Sequence, residues 1–366
     1  MHCQCSKSDL LPAINLVERA VTSQETLAVL NGIFLETEGT QRLLLRSTNL
    51  ELGIQTQIEI QVVETGNCNV NGRLLASIVR RLPDEPIIFS EKDGKLEITA
   101  GTVELSLPLY NKEDFPILPQ VPEEHIKLPV QTLDTLIRNT IFSVSRDETK
   151  PALMGILFEF NEDSVNAVAT DSSRLAFIQE DLADAFSQNH KAIVPTSSVT
   201  EIFRSLPTKG EAVIGISDDQ LIVAYDDTIF SSRLINAEFP QYRLLFPKEQ
   251  PISINVRRQT LLASVERAAL LQTEDNQPII LDVQDGVLEL STPPSSIGHF
   301  REQITVEHAG ENGKAAYSAR FLQDMLKASK EESLTFQFNG DFRPAVFKKQ
   351  ESDKHLYIIM PIRLHY

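Results

Sequence analysis

The sequence predicts an α+β fold made of one domain repeated three times. Two observations carry this: a marker that recurs at a fixed interval, and helical and strand-like apolar patterns that recur in the same order within each interval. Strand-like runs end in Ser47-Thr48-Asn49, Ala169-Thr170-Asp171 and Ser291-Thr292-Pro293, with the threonines 122 residues apart at both steps. Three such units fill the 366 residues. Arg80-Arg81-Leu82-Pro83 returns as Arg204-Ser205-Leu206-Pro207, and Asp114-Phe115-Pro116 as Glu238-Phe239-Pro240, both after 124 residues. Val17-Glu18-Arg19-Ala20 returns as Val265-Glu266-Arg267-Ala268 after 248, two periods on.

Pro119 and Pro122 among charged residues, and Pro247 and Pro251 further on, read as linkers. They divide the chain into domains 1–122, 126–246 and 247–366. Leu10, Leu11, Ile14 and Val17 recur at helical spacing, as do Leu133, Leu136 and Ile137 in the second unit and Leu261, Leu262 and Val265 in the third. Leu96-Glu97-Ile98 and Val103-Glu104-Leu105-Ser106-Leu107 alternate as strands do. Helices are expected at 6–21, 72–82, 129–144, 196–206, 257–271 and 318–329. Each domain should then hold two helices and two small antiparallel sheets.

Composition narrows the function classes. The chain is 42% apolar and 23% charged, ordinary for a folded protein. No apolar run approaches the roughly 18 to 20 residues of a membrane span, and the start does not resemble a signal peptide, so a soluble cytoplasmic protein with no membrane contact is expected. Cys3, Cys5 and Cys68 give an odd count without paired spacing. Cys3-x-Cys5 beside His2 is a weak metal motif, because structural zinc takes four ligands and no second cluster is present. No P-loop, Gly-x-Ser-x-Gly or His-Glu-x-x-His occurs. Neither a catalytic site nor a metal or cofactor is expected.

A net charge of −17 argues against wrapping nucleic acid by bulk attraction, unless the charges are segregated. They are. The six expected helices carry 12 Lys/Arg against 6 Asp/Glu, a net of +6, which leaves −23 on the other 285 residues. For a single helix this is an ordinary solvated face. Its repetition over three units favours weak, sequence-independent contact with phosphates.

The segment Ala167-Val168-Ala169-Thr170-Asp171-Ser172-Ser173-Arg174-Leu175-Ala176, the turn Glu238-Phe239-Pro240-Gln241-Tyr242-Arg243 and the near-terminal Met360-Pro361-Ile362-Arg363-Leu364 together resemble the bacterial sliding-clamp family, the beta subunit of DNA polymerase III. The resemblance covers essentially the whole chain. It implies three clamp domains assembling into a ring-shaped head-to-tail homodimer, with helices lining a hole that encircles duplex DNA. It also implies tethering of the polymerase alpha subunit, the clamp loader and other clamp-motif proteins.

Residue by residue, the resemblance implies a peptide pocket at Leu153, Thr170, Arg174, Leu175, Pro240 and Leu245, continuing at Ser318, Phe321, Met360, Pro361, Ile362 and Arg363. By residue type alone Leu153, Leu175 and Phe321 read as core. The cations that would face DNA are Arg73, Arg80, Arg81, Arg138 and Arg204, then Arg257, Arg258, Arg267, Arg320 and Lys327. Leu105 and Leu107 of one copy would meet Leu270 and Leu271 of the other, although ordinary core packing accounts for them equally well.

Departures from the family fall at Gln24 and Glu25, where a basic residue and proline are common, and at Pro151-Ala152, where some clamps place bulky DNA-touching residues. Leu244 and Asn276 replace Arg and Phe at the pocket rim, and His365-Tyr366 extend past the usual end. The rival reading is a repeat scaffold that recruits proteins through the same pocket without binding DNA.

Overall fold

The computed structural model describes every residue except 23–26, 183–188, 218, 247–249, 272–277, 341–342, 351 and 364–366. Gln24, Glu25, Asn276 and His365-Tyr366 thus lie outside the described residues. Among the described residues there are six α-helices: α1 (Lys7–Val17), α2 (Gly72–Arg81), α3 (Val130–Arg138), α4 (Thr196–Ser205), α5 (Arg258–Ala269) and α6 (Ala319–Ala328). Their starts follow from capping chemistry. The side chains of Ser6, Asn71 and Ser318 accept the backbone N–H groups of Asp9, Leu74 and Phe321, satisfying donors that a helix leaves free at its N-terminus. Leu10, Ala13, Ile14 and Val17 give α1 one buried stripe, as Leu75, Ala76 and Val79 do for α2.

The third helix stops at Arg138, short of the expected residue 144. Asn139 Nδ2 donates to the Thr135 carbonyl at 2.8 Å and Thr140 Oγ1 to that of Leu136 at 2.6 Å. Such side-chain bonds compete with the helical ladder, and Thr140 leaves helical geometry at φ −124°.

The chain forms two compact units, Met1–Gln131 with Thr200–Leu234, and Thr132–Val199 with Ile235–Tyr366. The first holds a 13-stranded antiparallel sheet, the second a nine-stranded and a four-stranded sheet. The small separate sheets expected for each domain are therefore joined edge to edge. Strand Leu52–Glu59 of the first repeat pairs with Thr228–Arg233 of the second, Leu52 opposite Ser232. Strand Arg174–Asp181 of the second pairs with His355–Ile359 of the third, Arg174 opposite Ile359. Edge-to-edge pairing satisfies backbone groups that short sheets would leave exposed.

The repeat marker is a turn built twice from the same bonds. Thr48 Oγ1 donates to the Leu52 carbonyl and accepts from Leu50 N, both at 3.0 Å, while Asn49 Oδ1 accepts from Glu51 N and Leu52 N. Thr170 Oγ1 donates to the Arg174 carbonyl at 2.6 Å and accepts from Ser172 N at 3.2 Å, while Asp171 Oδ1 accepts from Ser173 N and Arg174 N. Both turns hold their third residue left-handed, Leu50 at φ 74° and Ser172 at φ 79°. The cost of that conformation, on the order of 1 to 3 kcal/mol, is offset by the side-chain bonds. In the third repeat Thr292 Oγ1 instead accepts from Phe300 N, and the chain loops out between them.

The two turns differ in what lies over them. At Gly53, the counterpart of Leu175, a Cβ would sit 2.5 Å from Ser231 Oγ and 2.9 Å from Leu118 Cδ2. The buried Leu118 side chain occupies the space that the second repeat leaves for Leu175.

Candidate partner-binding groove

Within the second unit, strand His355–Ile359 lies beside Arg174–Asp181, and the chain then runs on through Met360 to Arg363. Two backbone bonds hold this continuation: Met360 N donates to the Ser173 carbonyl at 2.9 Å and Ile362 N to that of Ala316 at 2.7 Å. Met360 is thereby fixed next to the Thr170–Arg174 turn and is 43% exposed. Pro361 and Ile362 are half-buried, and Arg363 is exposed. Pro240 and Leu245, from the turn that ends the second repeat, are exposed as well.

Under this surface lies one apolar cluster including Leu157, Leu175, Phe177, Tyr242, Val346 and Ile358, with Phe239 and Phe246 packed against it. Its polar anchor is Glu159, buried beneath the aromatic residues. Tyr242 Oη donates to Glu159 at 2.6 Å, Lys191 Nζ pairs with it at 2.8 Å, Asn166 Nδ2 donates at 3.3 Å and Arg243 lies 3.7 Å away. Burial pushes the Glu159 carboxyl up, but the hydrogen bonds from Lys191, Tyr242 and Asn166 together outweigh it, so the group sits below its ordinary value. Tyr242 is raised by burial and by its bond to Glu159.

Arg174 is held on four sides. Its Nε donates to Asp171 at 3.0 Å and its Nη1 to Asp324 at 2.7 Å, while its guanidinium lies 4.3 Å from the centroid of the Phe321 ring and 5.6 Å from that of Phe142. A narrow cleft lies here, lined by Phe142, Arg174, Leu175, Phe321, Met325 and Ile358 among others.

The expected pocket residues thus divide in two. Met360, Pro361, Ile362, Phe321, Pro240 and Leu245 offer surface. Leu153, Thr170, Leu175 and Ser318 are buried: Leu175 is floor, Thr170 holds the turn and Ser318 caps α6. Phe142, Asp171 and Asp324 were missed. Asp171 lies inside the motif and Asp324 follows Phe321 by one helical turn, so both carried a signal, whereas Phe142 carried none.

Most of the expected DNA-facing cations are exposed, and five of the ten pair with a carboxylate. In the first unit Arg80 pairs with Glu18 and Asn15, and Arg204 with Glu201, while Arg81 donates to the Ser77 carbonyl and Arg73 is exposed. In the second, Arg138 pairs with Asp134, Arg267 with Glu302 and Lys327 with Glu266. Arg257 is exposed, and Arg320 lies 5.3 Å from the Phe321 ring centroid. Arg258 departs from expectation. It is half-buried, donating to the carbonyls of Glu331 at 2.8 Å and Leu326 at 3.0 Å, a cation at the C-terminal end of α6 rather than a free phosphate ligand.

Of the expected subunit contacts, Leu105 and Leu270 are exposed, the latter by 79%, and Leu271 is half-buried. Leu107 is core, because the alternation of strand Val103–Tyr110 turns it inward opposite Leu96. Among the described residues that strand pairs along one side with Lys95–Ala100 and on its other side only at Leu109 and Tyr110. In the second unit Arg301–Thr305 is an edge strand of the four-stranded sheet.

Three sequence profiles of the DNA polymerase III beta subunit match in succession: the N-terminal domain over residues 1–119, the central domain over 127–241 and the C-terminal domain over 243–363. The chain belongs to the DNA polymerase III beta subunit family. It is 31% identical to the beta sliding clamp of Synechococcus elongatus and 30% identical to that of Synechocystis, in both cases over 100% of each chain. Among solved structures it resembles the sliding clamp of Pseudomonas aeruginosa bound to griselimycin, with TM-score 0.94, 28% identity and 100% of both chains covered. It also matches that of Bacillus subtilis with TM-score 0.96 over 100% of both chains; at 24% identity this speaks to the fold alone. The beta subunit has three clamp domains and works as a DNA sliding clamp, an accessory processivity factor without catalysis of its own. DNA and a polymerase are its partners. No described helix is long and apolar enough to cross a membrane.

Proposed function

We propose that two copies of this chain close head to tail into a ring around duplex DNA in the cytoplasm, without sequence preference. The ring tethers the polymerase III alpha subunit, the clamp loader and other clamp-motif proteins through the groove beside Met360. The domains within it are 1–122, 126–246 and 247–366. The observation that carries this reading is the groove: an apolar floor with half-exposed Met360, Pro361 and Ile362 along it suits a short apolar peptide segment. Relatives from Pseudomonas aeruginosa and Bartonella birtlesii have griselimycin bound, so clamps of this fold do hold a ligand. Closure is supported by the two strand edges, Val103–Tyr110 and Arg301–Thr305, which can pair between copies beside Leu105 and Leu270.

The cations contribute loosely. Arg80, Arg204, Arg138, Arg267 and Lys327 each have a carboxylate neighbour, which weakens their pull on phosphate. Contact of that kind permits sliding, and the closed ring does the holding. The test is retention on circular DNA. Loaded protein should withstand moderate salt on nicked circles and leave once the DNA is linearised; equal loss from both forms would refute the ring.

A further inference from the structure

We propose that Asp324, on α6, is a positioning residue of the partner groove: it holds the Arg174 guanidinium over the Phe321 ring and so sets the groove wall. The inference rests on the groove reading above and deepens it. Phe321 and Asp324 are three residues apart on α6, and side chains at that spacing share a helix face. The ring and the carboxylate therefore address the same guanidinium, at 4.3 Å from the ring centroid and 2.7 Å from Asp324 Oδ2. Asp171 holds only the Nε side, from within Arg174's own turn. With Asp324 neutralised, Nη1 loses its charged partner on α6, and the guanidinium is held less firmly over the Phe321 ring.

This arrangement links the turn of the second repeat to the helix of the third, because Arg174 and Asp324 are 150 residues apart. It also frees a donor. Nη2 makes no hydrogen bond among the described residues, so a held guanidinium presents it to the backbone carbonyl of an extended apolar peptide.

The experiment uses the full chain and a fluorescent peptide of the Gln-Leu-x-Leu-Phe type, read by anisotropy, with Asp324→Asn, Asp324→Glu, Arg174→Lys and the double variant Asp324→Asn/Arg174→Lys. Asp324→Asn should weaken binding about fivefold to tenfold with the melting temperature unchanged. Asp324→Glu should restore most of the affinity by re-forming the ion pair. In the Arg174→Lys background the Asn substitution should add little, since its effect passes through the guanidinium. Unaltered affinity in Asp324→Asn overturns the proposal while leaving the groove reading intact. So does a fall in melting temperature that tracks the affinity loss and is not rescued by Glu, because that outcome marks a purely structural residue. A wild-type protein that does not bind the peptide removes the groove reading, and this inference with it.

Discussion

Trimming Met360 to alanine separates partner binding from folding in a way that trimming Leu175 does not. Full burial of a Met or Leu side chain is worth about 1.5 to 3 kcal/mol. Met360 is 43% exposed in the free chain, so a bound peptide can cover at most that share. The affinity loss in Met360→Ala is then about 0.6 to 1.3 kcal/mol, or roughly threefold to ninefold. Leu175 is only 3% exposed and belongs to the buried cluster, so Leu175→Ala should cost about 2 to 5 kcal/mol of stability before any peptide is added. Anisotropy titration with the labelled peptide and thermal unfolding by circular dichroism measure the two quantities independently. Peptide affinity unchanged in Met360→Ala, or a melting shift as large as that of Leu175→Ala, would refute this division between surface and floor.

Glu159 sits below its ordinary value of 4.5, so its contribution to stability is present above that pH and lost as pH falls through the lower native value; Glu159→Gln should flatten the stability profile below pH 4.5, and an unchanged slope would contradict it. Burial pushes the Cys3 thiol up to about 11 and those of Cys5 and Cys68 to about 12, so all three should resist a thiol reagent at pH 8 and react once the chain is unfolded in urea. Their raised values also predict a stability loss beginning above pH 9, where unfolded thiols ionise first; rapid native labelling would disprove the burial argument. Leu270→Asp or Leu105→Asp should halve the mass seen by light scattering, whereas Leu107→Ala should lower the melting temperature; dimers persisting in both Asp variants would count against closure at these edges.

The threefold organisation was legible because its markers do structural work. Thr48 and Thr170 recur since the same turn needs a hydroxyl there, and the α1 and α2 patterns hold because their buried stripes are local. The length of α3 was not legible, because hydrophobic spacing continues past Arg138 while Asn139 and Thr140 end the helix through their side chains. Nor could spacing show that the sheets join, since pairing between Leu52–Glu59 and Thr228–Arg233 spans some 170 residues. In the groove, the family resemblance pointed to Met360 and Phe321, whereas residue type read Leu153, Leu175 and Phe321 alike as core. That reading fits Leu153 and Leu175, which are buried, and not Phe321, which is half-buried because α6 turns its ring toward Arg174. The role of Arg258 was hidden for a similar reason: a count of positive charges does not show where a guanidinium points.

The filled space over Gly53 sets the first turn apart from the second. Leu118 supplies there the floor that Leu175 supplies in the second turn, where Met360 adds an accessible rim. On the proposed reading of the groove beside Met360, two proteins bearing the same short motif would exclude one another there. A newcomer to an occupied groove would then have to wait for its holder to leave, so that succession would be governed by dissociation rate and local abundance.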